Sequence, residues 1–131
     1  MATPENTYIQ SIHRWLPVDL YRMKNHNQYN GGIADVWYSG TKADLWIEYK
    51  FTVLPKRDST LVVPDLSPLQ VDWLTKRSKE GRRVGVIIGS KEGGVWLPDT
   101  TWLEPMAAGD FRKLMMPRSE LAEVITKIVC L

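Results

Sequence analysis

Two carboxylates and an ammonium stand at spacings that would let them act together. Glu48-Tyr49-Lys50 closes an apolar run from Ala43 to Phe51, and Asp35 stands thirteen residues before Glu48 in a second such run, Gly32-Ile33-Ala34-Asp35-Val36-Trp37-Tyr38. Side chains on a strand alternate between its faces. Asp44, Trp46, Glu48 and Lys50 therefore share one face, while Leu45, Ile47, Tyr49 and Phe51 share the other and read as core. A carboxylate and a cation are thus delivered together opposite a buried face, with a second carboxylate available from the preceding strand. Such a set suits a hard divalent cation, which prefers oxygen ligands, and a polarised water.

The elements that must position these groups are legible in the pattern around them. Tyr8, Ile9, Ile12, Trp15 and Leu16 form an apolar stripe at helical spacing, which predicts a helix over Pro4 to Trp15, capped by Thr3 or Asn6 and stopped by Pro17. Asp19 to Lys24 alternates as a first strand, and Asn25 to Gly32 is a polar turn. The Asp35 and Glu48 strands are joined by the short turn Ser39-Gly40-Thr41-Lys42, which favours an antiparallel hairpin with both carboxylates on one face. Thr52 to Leu66 reads as an irregular loop carrying Lys56 and Arg57 between prolines. Ser67 caps a helix with Pro68 at its first position, running past Gln70, Trp73 and Leu74 to a stop at Gly81. Val84-Gly85-Val86-Ile87-Ile88 is a buried strand, and strand, helix, strand in that order implies a crossover with parallel pairing. A hairpin turn leads to Gly93-Gly94-Val95-Trp96-Leu97. Leu121, Ala122, Ile125, Ile128 and Val129 place an amphipathic helix over Ser119 to Val129. The expected class is α/β, with a central mixed sheet flanked by helices.

Composition bounds the alternatives. A chain of 131 residues is one domain's worth, and 44% hydrophobic with 24% charged residues is ordinary for a folded soluble protein. The net charge of +2 neither requires nor excludes a polyanionic partner. The lone cysteine, Cys130, allows no disulfide framework or thiolate cluster within the chain. There is no basic-then-apolar leader and no run of eighteen apolar residues, so no membrane association is expected and a cytoplasmic setting is the simplest.

Gly31-Gly32-Ile33-Ala34-Asp35, then Ile47-Glu48-Tyr49-Lys50, then Ser67-Pro68-Leu69-Gln70 opening a helix, resemble the PD-(D/E)XK nuclease superfamily. The nearest likeness is to small VRR-NUC-type, Holliday-junction-resolvase-like domains, many of them from phages. The resemblance covers residues 5 to 97, and it departs at Ala34, where the superfamily often has proline. It implies a restriction-endonuclease-like αβββαβ core and a metal-dependent endonuclease acting on DNA, with branched or otherwise structured DNA as the sharper expectation. Small members of this kind commonly act as homodimers. Asp35 and Glu48, with the Tyr49 carbonyl, would hold magnesium or manganese, and Lys50 would orient the attacking water or stabilise the transition state. Gln70 would help position water or phosphate. Glu5 matches a helical glutamate that assists the metal in several members, although the positive end of a helix alone accounts for a glutamate there. A non-catalytic nucleic-acid-binding or interaction module that retains the fold is the alternative.

Other groups carry plainer readings. His13 and His26 lack partners at metal-ligand spacing and read as surface residues. Lys24, Lys56, Arg57 and Lys76 are candidate phosphate contacts, provided that they cluster in space. Trp37, Trp46 and Trp73 read as core rather than as platforms for unpaired bases. The terminal helix, or the tryptophan-rich hairpin near Trp96 and Trp102, is the expected dimer surface.

Overall fold

A computed structural model describes residues 3–25 and 31–130. Helix α1 (Pro4–His13) is capped by Thr3, whose hydroxyl accepts from the Asn6 N–H, and has Pro4 at its start. It ends earlier than expected. Trp15 and Leu16 donate to Ile12 and His13 in tight i to i−3 turns ahead of Pro17, so Trp15 leaves the apolar stripe and is 63% exposed.

Strands β1 (Tyr21–Lys24), β2 (Val36–Ser39) and β3 (Asp44–Phe51) follow as an antiparallel meander. Most of the polar turn expected before β2, residues 26–30 with His26 among them, lies outside the described residues. Helix α2 (Pro68–Lys79) then crosses over to β5 (Val84–Gly89), which pairs parallel with β3, and a tight turn returns the chain as β6 (Gly94–Pro98). The sheet order is β1-β2-β3-β5-β6, the mixed sheet anticipated from the pattern. β5 is buried along its whole length, as its continuous apolar run requires when both faces are covered.

One core lies on each face. On the first, α1 and the terminal helix α4 (Arg118–Cys130) pack Ile9, Ile12, Leu121, Ile125 and Val129 against Leu45, Ile47 and Tyr49. The helix α1 approaches closely because Gly89 has no side chain: a Cβ there would sit 2.4 Å from the Tyr8 ring. On the second face, α2 and the segment after β6 pack Leu74, Trp102 and Phe111 against Val84, Val86 and Ile88.

Three expectations are corrected here. The face carrying Glu48 is partly covered: Glu48 itself is buried, Trp46 and Lys50 are half-buried, and only Asp44 at the strand's start is exposed. Thr52 to Leu66 is not irregular throughout: β4 (Leu61–Val62) pairs with β7 (Met106–Ala107), just ahead of α3 (Ala108–Leu114). Arg112 on α3 clamps the loop, meeting Asp58 at 2.9 Å and donating to the Pro55 carbonyl. Finally, the apolar stripe of α4 and the Trp102 ring are spent on the chain's own cores and are not free for a second subunit. No helix among the described residues is long and apolar enough to cross a membrane.

Candidate functional site

Strand β3 divides its hydrogen bonds by parity. The Trp46 and Thr52 N–H groups reach the Arg83 and Gly89 carbonyls on the β5 side, so the Tyr49 N–H points the other way, towards β2. It donates to Asp35 Oδ2 at 2.9 Å. Asp35 stands one residue outside β2 rather than within the strand as expected, and its carboxylate takes a donor that a backbone carbonyl would otherwise accept. The β2–β3 register pairs Val36 with Ile47 and, carried on by one residue, sets Asp35 opposite Glu48. Tyr49 therefore enters the site through its backbone, while its ring is buried on the other face.

The turn before Asp35 is held against α2. Gly32 has φ +90, in the left-handed region that favours glycine, and a Cβ there would lie 2.4 Å from the Leu69 carbonyl oxygen. That contact brings the start of α2 beside the carboxylates. Ser67 and Gln70 form a reciprocal cap: the Gln70 N–H donates to Ser67 Oγ at 3.2 Å, and the Ser67 N–H to Gln70 Oε1 at 2.9 Å. With its oxygen fixed, Gln70 turns its Nε2 to Glu48 Oε2 at 3.0 Å.

Glu48 is 2% exposed. Its Oε2 also lies 3.8 Å from Lys50 Nζ, whereas its Oε1 is buried without a hydrogen-bond partner. Glu5, in the first turn of α1, closes the group: carboxylate oxygens of Glu5, Asp35 and Glu48 all lie within 4.8 Å of one another. Burial, reinforced by the Asp35 charge and only partly offset by Lys50, pushes Glu48 up to about 9. Burial and then Asp35 also raise Glu5. The Lys50 contact alone would favour an ionised Glu48, but desolvation outweighs it at this depth. Three converging carboxylates, one with an orphaned buried oxygen, form an all-oxygen donor set that fits a hard divalent cation. The positive end of α1 explains why a glutamate is tolerated at position 5, and the packing of α1 across the sheet end brings it to Asp35 and Glu48.

The candidate phosphate contacts are dispersed. Lys56 and Arg57 are exposed on a turn in the segment that leaves β3. Lys24 donates to Asn6 Oδ1 beside Glu5, and Lys76 pairs with Asp72 at 3.1 Å on exposed α2.

Sequence reasoning missed one network. His13 is half-buried rather than on the surface, and its Nε2 shares a hydrogen bond with the Tyr38 hydroxyl at 2.7 Å, which in turn shares one with the Tyr49 hydroxyl at 2.5 Å. The signal was present, since His13 falls one residue after Ile12 in the stripe, but its partners are 25 and 36 residues away in the chain. Trp37, Trp46 and Trp73, taken as core, are half-buried and form a packed row between Tyr21 and Arg77. Trp37 and Trp46 stack at 5.9 Å, and the Arg77 guanidinium lies 5.7 Å from the Trp73 ring centre.

No family model matches the sequence, and no curated protein sequence matches it either. Among solved structures, the chain is similar to Archaeoglobus fulgidus Hjc, a Holliday junction resolvase from an archaeal hyperthermophile. The TM-score is 0.56 at 16% identity, over 90% of this chain and 99% of that one. At this identity the likeness is one of fold: the chain shares the mixed-sheet α/β architecture of that resolvase along nearly its whole length.

Proposed function

We propose that residues 1–131 act as one nuclease domain of the PD-(D/E)XK type, hydrolysing DNA phosphodiester bonds with magnesium, for which manganese substitutes. The observation that carries this reading is the convergence of Glu5, Asp35 and Glu48 within 4.8 Å, with Lys50 beside Glu48. A protein that merely bound DNA would gain nothing from three clustered carboxylates facing a polyanion.

Asp35 and Glu48, assisted by Glu5 and the Tyr49 carbonyl, would hold the ion. When bound, it offsets charge on the phosphate and lowers the pKa of a coordinated water. The chain's own groups do the rest. The Tyr49 N–H orients Asp35, Gln70 fixes the rotamer of Glu48, and Lys50 supplies positive charge where negative charge builds on the phosphate in the transition state. The water oxygen bonds to phosphorus as the phosphorus–oxygen bond to the leaving nucleoside breaks; the water releases one proton to solvent and the departing oxygen takes one up from solvent, so no net proton is consumed in forming the alcohol.

Branched or otherwise structured DNA is the substrate class we infer, supported by the fold shared with a resolvase, and a homodimer would place two such sites on paired strands. A cytoplasmic setting agrees with the single unpaired cysteine. Purified protein with magnesium on linear, nicked, single-stranded and four-way-junction DNA tests the proposal. Cleavage of the junction that disappears with chelator, and in Asp35→Asn, is the expected result. Tight DNA binding with no metal-dependent cleavage on any substrate would assign the protein to the non-catalytic alternative.

A further inference from the structure

On the face of the sheet opposite Glu48 and Lys50, beside α1, lies a cavity of about 380 Å³, lined among others by Thr7, Tyr8, Ser11, Phe51, Lys91 and Arg118. Its place in the fold follows from β3. Lys50 and Phe51 are consecutive, so their side chains leave the strand on opposite faces, one into the acidic site and the other into this cavity. The cavity therefore sits at the same end of the sheet as the candidate site, one residue away along the strand.

Its lining combines two chemistries. The rings of Tyr8 and Phe51, with centres 5.8 Å apart, make an apolar wall. Opposite in character are two cations, with hydroxyls beside them and no carboxylate in the lining. Arg118 is held in place: its Nε donates to Ser11 Oγ at 2.7 Å, and its guanidinium lies 4.7 Å from the Tyr8 ring centre. No hydrogen bond to another described residue engages its Nη groups, and Lys91, exposed on the turn after β5, has no ion pair among the described residues. A fixed guanidinium with free donors beside an aromatic wall is suited to a group that is anionic at one end and planar and apolar at the other.

We propose that this cavity is a nucleotide subsite. It takes one unpaired nucleotide of the substrate strand that leads away from the acidic site around the end of the sheet, with the base against the half-buried Phe51 ring and its phosphate on Lys91 and Arg118. The proposal rests on the nuclease reading for the word substrate, but its binding chemistry is independent of cleavage. It would give the site a preference for DNA with unpaired nucleotides at a branch or end.

The test is fluorescence anisotropy with a labelled single-stranded oligonucleotide, in Glu48→Gln protein so that no DNA is consumed. Lys91→Glu and Phe51→Leu should each weaken binding about tenfold, while Lys79→Glu, an equal charge change at the far end of the sheet, should have a much smaller effect. Equal losses for Lys79→Glu and Lys91→Glu would mean diffuse electrostatics and overturn the subsite, as would wild-type affinity in both cavity variants. Titration with 5′-dTMP separates the two sources of phosphate: mononucleotide binding that needs Lys91 while oligonucleotide affinity does not would overturn the strand assignment. Lys91-dependent binding in a protein whose unmutated form cleaves nothing would reject the nuclease reading and keep the subsite.

Discussion

Gln70 spans two structures with one side chain: its Oε1 closes the cap of α2 and its Nε2 holds Glu48 at 3.0 Å. The start of a helix and the orientation of a buried carboxylate are therefore set together. Gln70→Ala should lose about 1 kcal/mol of stability with the cap and lower the cleavage rate about tenfold as Glu48 loses its anchor. Gln70→Glu should be slower still, because it sets a third acid against Glu48, beside Glu5 and Asp35. Thermal melts beside single-turnover rates check both; unaltered rates in Gln70→Ala would mean that Glu48 needs no such anchor.

Glu48 offers a test of function against stability. Its folded pKa of about 9 lies above the ordinary carboxylate value, so between about 4.5 and 9 the folded metal-free protein holds a proton that the unfolded chain has released. Stability must fall as pH rises through that window. Glu48→Gln removes this dependence and should raise the melting point of the metal-free protein at pH 8 by about 5 °C or more, while abolishing cleavage. Calorimetry of manganese binding in two buffers of different ionisation enthalpy should also show proton release in the wild type and little in the variant.

His13 behaves in the opposite sense. Burial, with Arg22 and Lys24 adding to it, pushes its pKa down to about 4. The unfolded chain takes up a proton near pH 6.5, so the His13 contribution is complete above that pH and drains away as pH falls towards 4. The wild type should lose about 1–2 kcal/mol over that range from this group, a figure discounted for its partial exposure. His13→Gln should show a shallower slope in urea titrations at pH 4, 5, 6 and 7.

Under the proposed function, Lys56 and Arg57 test whether a DNA backbone runs past the end of β3. The segment carrying them leaves the end of β3 just past Lys50, and its base is pinned by the Asp58–Arg112 pair and the β4–β7 pairing, so reversing two exposed charges at its tip should leave the fold intact. Lys56→Glu with Arg57→Glu should weaken DNA binding and reduce the salt slope by about 2. A wild-type slope would place the backbone elsewhere, with the basic side of α2 next to be tested.

Much of this arrangement was legible in the sequence, because the relevant signals are local. Strand alternation put Glu48 and Lys50 on one face, the short turn at Ser39 to Lys42 gave the hairpin, and Ser67-Pro68 with Gln70 announced the cap. What escaped is set by contacts distant in the chain. The burial of Glu48 depends on α2 and on a segment after β6 for which no element was assigned between Leu97 and Ser119. The β4–β7 pairing joins residues 46 apart at Leu61 and Ala107, and two-residue strands carry no period to detect. The chain of hydroxyls from His13 to Tyr49 depends on how α1 crosses β2 and β3, which spacing within α1 alone does not encode.

The crossover from β3 through α2 to β5 has a consequence for how the protein comes off the ribosome. Glu5, Asp35 and Glu48 emerge early, but Gln70 follows more than twenty residues after Glu48, and β5, the parallel neighbour of β3, follows later still. Until then the central strand lacks one side of its hydrogen bonding and Glu48 has neither its anchor nor its roof. A nascent chain therefore carries its acids in a disarmed form, and any reactivity of the cluster must wait until most of the polypeptide has been made.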